Sequence, residues 1–247
     1  MSRADPFIKK RAMTSYYAAK LSGRRLMACY ELAPQRVKQY LEAEILYVLK
    51  QLRSTDTVLE LGCGYGRVAF RLAEVAARVV GIDTAEESLD LAREMAGTDS
   101  RCEFLNMDAV NMRFPDEEFH AVVCIQNGIC AFGVDQETLM REALRVSRKG
   151  GTVLFSTYSN RFWGDRLAWF EAQSEAGLVG PIDYEASRDG VIVCTDGFRA
   201  GRLTPEDFRH LASRVGYEPD ITEVDGSSVF CRITKWVPHY TQKKSLK

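Results

Sequence analysis

Five short apolar runs, most of them separated by segments with helical periodicity, constrain the fold of this chain more than any other feature. The runs occupy residues 57–61, 78–83, 102–108, 119–127 and 152–158. Intervening segments place apolar residues three or four positions apart, as at Val68, Leu72 and Val75. Strands that alternate with helices are typical of a parallel sheet covered on both faces. We therefore expect a doubly wound, mostly parallel α/β fold.

The alternation stops after Tyr158. Beyond a helical segment, two Asp-Gly pairs flank the β-branched run at 191–195. Asp-Gly favours two-residue hairpin turns, so we expect a small antiparallel β insert after the fifth strand. A helix capped by Thr204 and two further strands, at 220–224 and 228–236, bring the predicted sheet to seven strands.

Composition excludes several classes of protein. The 247 residues carry a net charge of −1, which gives no general attraction to nucleic acid or to a membrane surface. Seven cysteines without a Cys-x-x-Cys pair do not indicate a disulfide framework or a zinc site. Three scattered histidines, His120, His210 and His239, argue against a metal centre built from histidine. We expect reduced thiols, a cytoplasmic protein, no metal and no membrane segment.

The stretch "VLELGCGYGRVAF" at 58–70 places Gly62, Gly64 and Gly66 between the first strand and a helix. Ligands bind at this edge of an open α/β sheet, and glycine lets them approach the backbone. A dinucleotide fingerprint would need glycine or alanine where Arg67 stands, and the lysine of a P-loop is absent. The acid at Glu60 suits a ligand that carries an amine better than it suits a phosphate.

The order acid-x-Gly-x-Gly-x-Gly resembles motif I of the class I S-adenosylmethionine-dependent methyltransferases. Asp83 ends the second strand, 21 residues past Gly62, and Asp108 follows the third. Both match acidic positions of that family. The resemblance implies a Rossmann-like methyltransferase with S-adenosylmethionine as cofactor and S-adenosylhomocysteine as product.

The resemblance also implies roles for individual residues. The glycine loop would admit the methionyl and ribose parts, Asp83 would hold the ribose with Thr84 beside it, and Asp108 would meet the adenine. Thr84 is also a candidate cap for the helix that follows. The residues predicted to bind the cofactor are Glu60, Gly62, Cys63, Gly64, Gly66, Asp83, Thr84, Asp108, Ala109, Gln126 and Tyr17. Those predicted to bind the substrate are Tyr16, Tyr30, Asn127, Tyr158, Asn160 and Trp163.

Some of these assignments have structural alternatives. Each tyrosine could instead pin a helix to the sheet, Gln126 could tie down its loop, and Trp163 could belong to the core. The predicted organisation is one methyltransferase domain over residues 1–247. It divides into an N-terminal helical lid (1–55), a cofactor-binding core (56–158), a helix with a β-meander cap (159–203), and a closing helix and hairpin (204–240).

The acceptor is the least constrained part of the prediction. The fourth strand ends in "IQNG", which lacks the Pro-Pro motif of nucleobase methyltransferases, and no basic stripe is present. No histidine–acid pair is evident, which favours a nitrogen or sulfur nucleophile on a small molecule. The alternatives are an RNA or protein methyltransferase that docks through its insert, a non-catalytic binding protein, and aminopropyl transfer. We expect a monomer or homodimer.

Overall fold

The structure is a computed structural model of the chain, and it describes residues 16–98 and 101–236. Residues 1–15 of the predicted lid and the residues after 236 lie outside the described part. The described strands form a seven-stranded sheet and a separate two-stranded sheet. The strands are β1 (Thr57–Leu61), β2 (Arg78–Asp83), β3 (Cys102–Asn106), β4 (Phe119–Cys124), β5 (Ser147–Tyr158), β6 (Ile192–Val193), β7 (Arg199–Ala200), β8 (Asp220–Val224) and β9 (Ser228–Thr234).

The large sheet has the strand order β3-β2-β1-β4-β5-β9-β8. Strands β1 to β5 pair in parallel, while β9 runs antiparallel to both β5 and β8. This arrangement confirms the predicted seven-stranded, mostly parallel fold. The strand order reverses between β1 and β4, and in open α/β sheets ligands bind at such a point.

Helices cover both faces of the sheet. They are α1 (Tyr16–Lys20), α2 (Gly23–Glu31), α3 (Gln35–Leu49), α4 (Arg67–Leu72), α5 (Glu86–Ala96), α6 (Gly128–Ala131), α7 (Gln136–Val146), α8 (Trp163–Glu175) and α9 (Pro205–Arg214). Thr204 caps α9 through a capping box with Asp207, as its sequence predicts. The cap predicted at Thr84 is wrong, because α5 begins after Ala85 and no side chain caps it.

Alternating side chains of β1 enter different layers of the core. Leu59 and Leu61 pack in the cluster that includes α7 and α9, while Val58 packs in the cluster that includes α3, α4 and α5. This two-residue period of a strand places Glu60 on the same face as Val58, toward α4. An acid therefore ends up at the buried edge of the sheet, where β1 meets the glycine loop.

The insert is a minimal antiparallel meander, made by β6, β7 and a bridge between Ile182 and Cys194. Asp189 and Gly190 have φ of 55° and 79°, as a two-residue turn requires. The second Asp-Gly pair instead ends a longer turn, in which the Cys194 N–H donates to Phe198 O at 3.0 Å. The insert packs against α2 and α8 and so joins the N-terminal helices to the far end of β5.

Candidate active site

The glycine loop is pinned to the end of β2 by backbone hydrogen bonds. The N–H groups of Gly62 and Cys63 both donate to Ile82 O, at 2.8 and 3.0 Å. Gly62 has a φ of 72°, and a Cβ added there would overlap the Phe132 ring. Gly66 has a φ of 85° where the chain enters α4. These positions need glycine, because other residues would be strained or would clash.

Asp83 organises the same loop from the end of β2. Its Oδ2 accepts the N–H of Gly64 at 2.9 Å, and its Oδ1 accepts the N–H of Ala85 at 2.9 Å. Burial raises the pKa of Asp83, and these backbone donors oppose that effect. One carboxylate thus joins the glycine loop to the start of α5 at the edge of a cavity.

The cavity has a volume of about 420 Å³ and lies over the carboxyl ends of β1, β2, β3 and β4. It brings together most of the residues predicted from the sequence. Those that line it are Tyr17, Tyr30, Glu60, Gly62, Cys63, Gly64, Asp83, Thr84, Asp108, Ala109 and Gln126. Sequence reasoning missed further lining residues, among them Leu26, Arg67, Ser88, Met107 and Phe132.

Glu60 presents a buried carboxylate to this cavity. Its residue is 4% exposed, and its Oε2 atom has no hydrogen-bond partner among the described residues. Burial raises the pKa of Glu60 to about 8; Arg67 opposes the shift and Asp83 adds to it. A buried hydrogen-bond acceptor without a donor lowers the stability of the fold, unless a ligand supplies the donor.

We expect stability to fall with rising pH because of Glu60. Its pKa is near 4.5 in the unfolded chain and about 8 in the folded protein, so only the folded state holds the proton between these values. The free energy of unfolding should fall by up to ~1.4 kcal/mol per pH unit in that window and level off above it. Glu60→Gln should remove this part of the slope in urea unfolding at pH 5, 6.5 and 8.

The control is Glu94→Gln on the exposed face of α5, where the side chain is 68% exposed. It should leave the pH dependence of the wild type unchanged. Equal slopes for the wild type and Glu60→Gln would contradict the burial account of Glu60.

Gln126 lines the cavity just past the end of β4. The Arg67 guanidinium donates to the Gln126 side-chain oxygen and lies 4.4 Å from the centroid of the Tyr30 ring. The Nε of Arg67 is buried and has no partner among the described residues. These three residues come from α2, α4 and the end of β4, so they join the lid to the core.

Four of the residues predicted to contact substrate are not among those that line the cavity, and their contact with substrate stays a prediction. Tyr16 donates from its hydroxyl to Asp196 in the insert. The Asn127 amide donates to Gly201 O at 3.0 Å and accepts from Thr157 at 2.8 Å. Asn160 is exposed, and its side-chain oxygen accepts a hydrogen bond from Arg202. Trp163 packs among the core residues of the insert.

A second, smaller cavity of about 30 Å³ adjoins the first and shares Tyr17, Tyr30 and Gln126 with it. Aromatic rings dominate its walls, among them Tyr158, whose contact with substrate stays a prediction, and Tyr40 and Trp169, which sequence reasoning missed. The rings are inclined to one another: Tyr30 and Trp169 are 5.9 Å apart at 51°, and Tyr40 and Tyr158 are 5.5 Å apart at 42°. The hydroxyl of Tyr40 has no partner among the described residues.

The described residues show neither a cluster of metal-binding side chains nor a helix that could span a membrane. Residues 16–98 and 101–236 contain no group of three or more His, Cys, Asp or Glu side chains that could hold a metal ion. Within the same residues, no helix combines the length and apolar character needed to cross a bilayer. The absence of a metal stays a prediction.

The chain is similar in sequence to known methyltransferases. Residues 58–151 match the family model for a methyltransferase domain. Over 135 residues the chain is 30% identical to the ubiquinone biosynthesis O-methyltransferase of Hydrogenovibrio crunogenus, covering 53% of this chain and 55% of that protein. It is 32% identical over 108 residues to the demethylmenaquinone methyltransferase of Clavibacter sepedonicus, covering 42% of each. The chain thus spans about half the length of the curated relatives it matches.

Solved structures agree in fold. A protein from Pyrococcus horikoshii OT3 superposes with a TM-score of 0.64 at 23% identity, covering 89% of this chain and 98% of that one. A methyltransferase from Methanosarcina mazei, described as S-adenosylmethionine-dependent, superposes with a TM-score of 0.59 at 18% identity, covering 78% and 98%. At these identities the likeness supports the architecture alone.

Proposed function

Since residues 58–151 form a domain of the class I S-adenosylmethionine-dependent methyltransferases, we propose that this protein transfers a methyl group from that cofactor to a small-molecule acceptor. One observation carries the proposal: a single cavity collects Glu60, the glycine loop, Asp83 and Asp108. These groups come from the ends of three neighbouring strands, in the order that the family resemblance requires.

The described residues fit the cofactor. The unpartnered Oε2 of Glu60 suits its ammonium group, the Asp83 carboxylate suits the ribose hydroxyls, and Asp108 with Ala109 borders the place for adenine. When bound, S-adenosylmethionine supplies a methyl group activated on a sulfonium, so little acid–base chemistry is asked of the protein. The chain's residues then have to align the acceptor and exclude water.

Water exclusion is the role we propose for the N-terminal helices. Ser22 donates to Glu87 at 2.6 Å, and the Gly23 N–H donates to Ser88 at 2.9 Å, which fixes the start of α2 on α5. Arg25, also on α2, donates to the backbone of the segment after α8, at 3.0 Å to Gly177 O. The N-terminal helices are therefore held both to α5 and to the segment after α8.

We propose that the acceptor binds at the end of the larger cavity that adjoins the smaller one, beside Tyr17, Tyr30 and Gln126. The inclined rings at this end suit a compact group held by stacking or cation–π contact. The curated relatives are named for ubiquinone and demethylmenaquinone, which supports a small-molecule acceptor. Among the described residues, the linings of the two cavities contain no histidine to take a proton, which supports a nitrogen or sulfur nucleophile.

We also propose a cytoplasmic location, which the free cysteines of the described residues support.

Methyl transfer can be tested directly with methyl-labelled S-adenosylmethionine. We expect label on at least one member of a panel of small amines, thiols and phenols, and none on total RNA or on a protein extract. Asp83→Ala should abolish the transfer. Label found on RNA or protein alone would favour the docking alternative. Tight binding of S-adenosylhomocysteine without transfer to any panel would favour a non-catalytic binding protein.

A further inference from the structure

Glu44 is a buried acid on α3 that neither the resemblance nor the proposed chemistry uses. The residue is 0% exposed. Its Oε2 accepts the backbone N–H of Gln126 at 2.7 Å and the hydroxyl of Ser156 at 2.8 Å. Its Oε1 has no hydrogen-bond partner among the described residues. The acid thus lies directly behind the wall of the larger cavity.

The position of Glu44 is costly for a carboxylate. It continues the buried helical stripe of Val37, Leu41 and Val48, where an apolar residue would pack without penalty. Burial raises the pKa of Glu44 to about 7, although the hydrogen bonds from Ser156 and Gln126 oppose the shift. Burying a carboxylate here, where a leucine would pack without penalty, destabilises the fold unless another contact compensates. The contact that Glu44 makes is with Gln126.

Gln126 itself sits in an unfavourable backbone conformation. Gln126 and Asn127 have φ of 55° and 66°, two consecutive non-glycine residues in the left-handed region. Such residues persist where their surroundings hold them in place. The Gln126 N–H is held by Glu44 and also by Ser156 Oγ at 2.8 Å. The strained turn is therefore anchored from behind by α3 and β5.

We propose that Glu44 is a positioning residue for the cofactor site: by holding the Gln126 N–H, it keeps the left-handed turn that presents the Gln126 side chain to Arg67 and the cavity. The inference rests on the proposed function, because the affected site is the cofactor cavity. Glu44 lies outside residues 58–151, so a residue of the N-terminal addition completes the wall of the matched domain.

The test measures S-adenosylhomocysteine affinity by calorimetry in variants whose folding is first checked by circular dichroism. Glu44→Leu removes the acceptor and should weaken binding about tenfold or more. Glu44→Gln keeps an oxygen that can accept both hydrogen bonds and should bind within about threefold of the wild type. The control is Lys38→Leu on the exposed side of the same helix, which should bind like the wild type.

Two binding outcomes would overturn the proposal. One is a folded Glu44→Leu protein that binds as tightly as the wild type. The other is a Glu44→Gln protein as weak as Glu44→Leu, since that would assign the effect to charge rather than to the held N–H.

Amide hydrogen exchange tests the anchor without any ligand or leucine variant. The Gln126 amide should be strongly protected in the wild type and in Glu44→Gln. Exchange of this amide at the rate of an unstructured peptide in the wild type would overturn the proposal even if Glu44→Leu fails to fold. A wild type that binds no S-adenosylhomocysteine but protects the Gln126 amide would instead contradict the proposed function and leave the anchor standing.

Discussion

Asp83→Ala is expected to weaken S-adenosylhomocysteine binding about 100-fold or more. In the wild type, the carboxylate holds the Gly64 and Ala85 N–H groups, each at 2.9 Å, and faces the proposed ribose position. Alanine would remove the ribose acceptor and release the loop that approaches the ligand. Hydrogen bonds to a charged group contribute about 1.5–3 kcal/mol each. Losing the two that the carboxylate would accept from the ribose hydroxyls accounts for a change in affinity of this size. Isothermal titration calorimetry measures it.

The matched control for this prediction is Asp90→Ala. Asp90 lies on α5 with a side chain that is 69% exposed, and it pairs with Arg93 on the same helix. We expect binding equal to that of the wild type. An Asp83→Ala protein that is folded and binds within a few-fold of the wild type would contradict the assigned role of the carboxylate.

Arg166→Leu is expected to destabilise the fold by about 3 kcal/mol or more. Arg166 is 1% exposed, and its guanidinium donates to Gly190 O at 2.8 Å and to Ala200 O at 2.7 Å. The same group lies 4.1 Å from the centroid of the Tyr158 ring. Leucine would leave buried carbonyl groups of the insert without a donor and loosen the insert from α8. The melting temperature should fall by roughly 6–12 °C.

Arg161→Leu serves as the control for this change. Arg161 is a neighbouring arginine whose side chain is 77% exposed and which pairs with Glu223. Its loss should change the melting temperature by a degree or two, because exposed ion pairs contribute little. An Arg166→Leu protein that melts with the wild type would show that the insert is held by its apolar contacts alone.

The sequence predicts the layers of this fold because the signals for them are local. The apolar runs become β1 to β5, and the glycine loop, Asp83 and Asp108 reach one cavity, because parallel strands end at the same edge of the sheet. Thr204 and Pro205 mark the start of α9 correctly, since a capping box needs only four residues of context.

Apart from the wrong cap at Thr84, what the sequence does not predict depends on contacts between distant parts of the chain. Tyr16 and Tyr17 are adjacent in sequence, but successive helical residues point about 100° apart, so one reaches Asp196 and the other the cavity. The Glu44 contact spans 82 residues to Gln126, which no local pattern encodes. The position of Glu44 in an apolar stripe was nevertheless a signal of burial that the sequence contained.

The glycine-loop cavity is expected to bind S-adenosylmethionine. A calorimetric titration of the wild-type protein with S-adenosylhomocysteine tests this binding, because that ligand has the same adenosyl and amino acid groups but does not react. We expect one saturable site per chain with micromolar or tighter affinity. A flat titration with protein shown to be folded would contradict it.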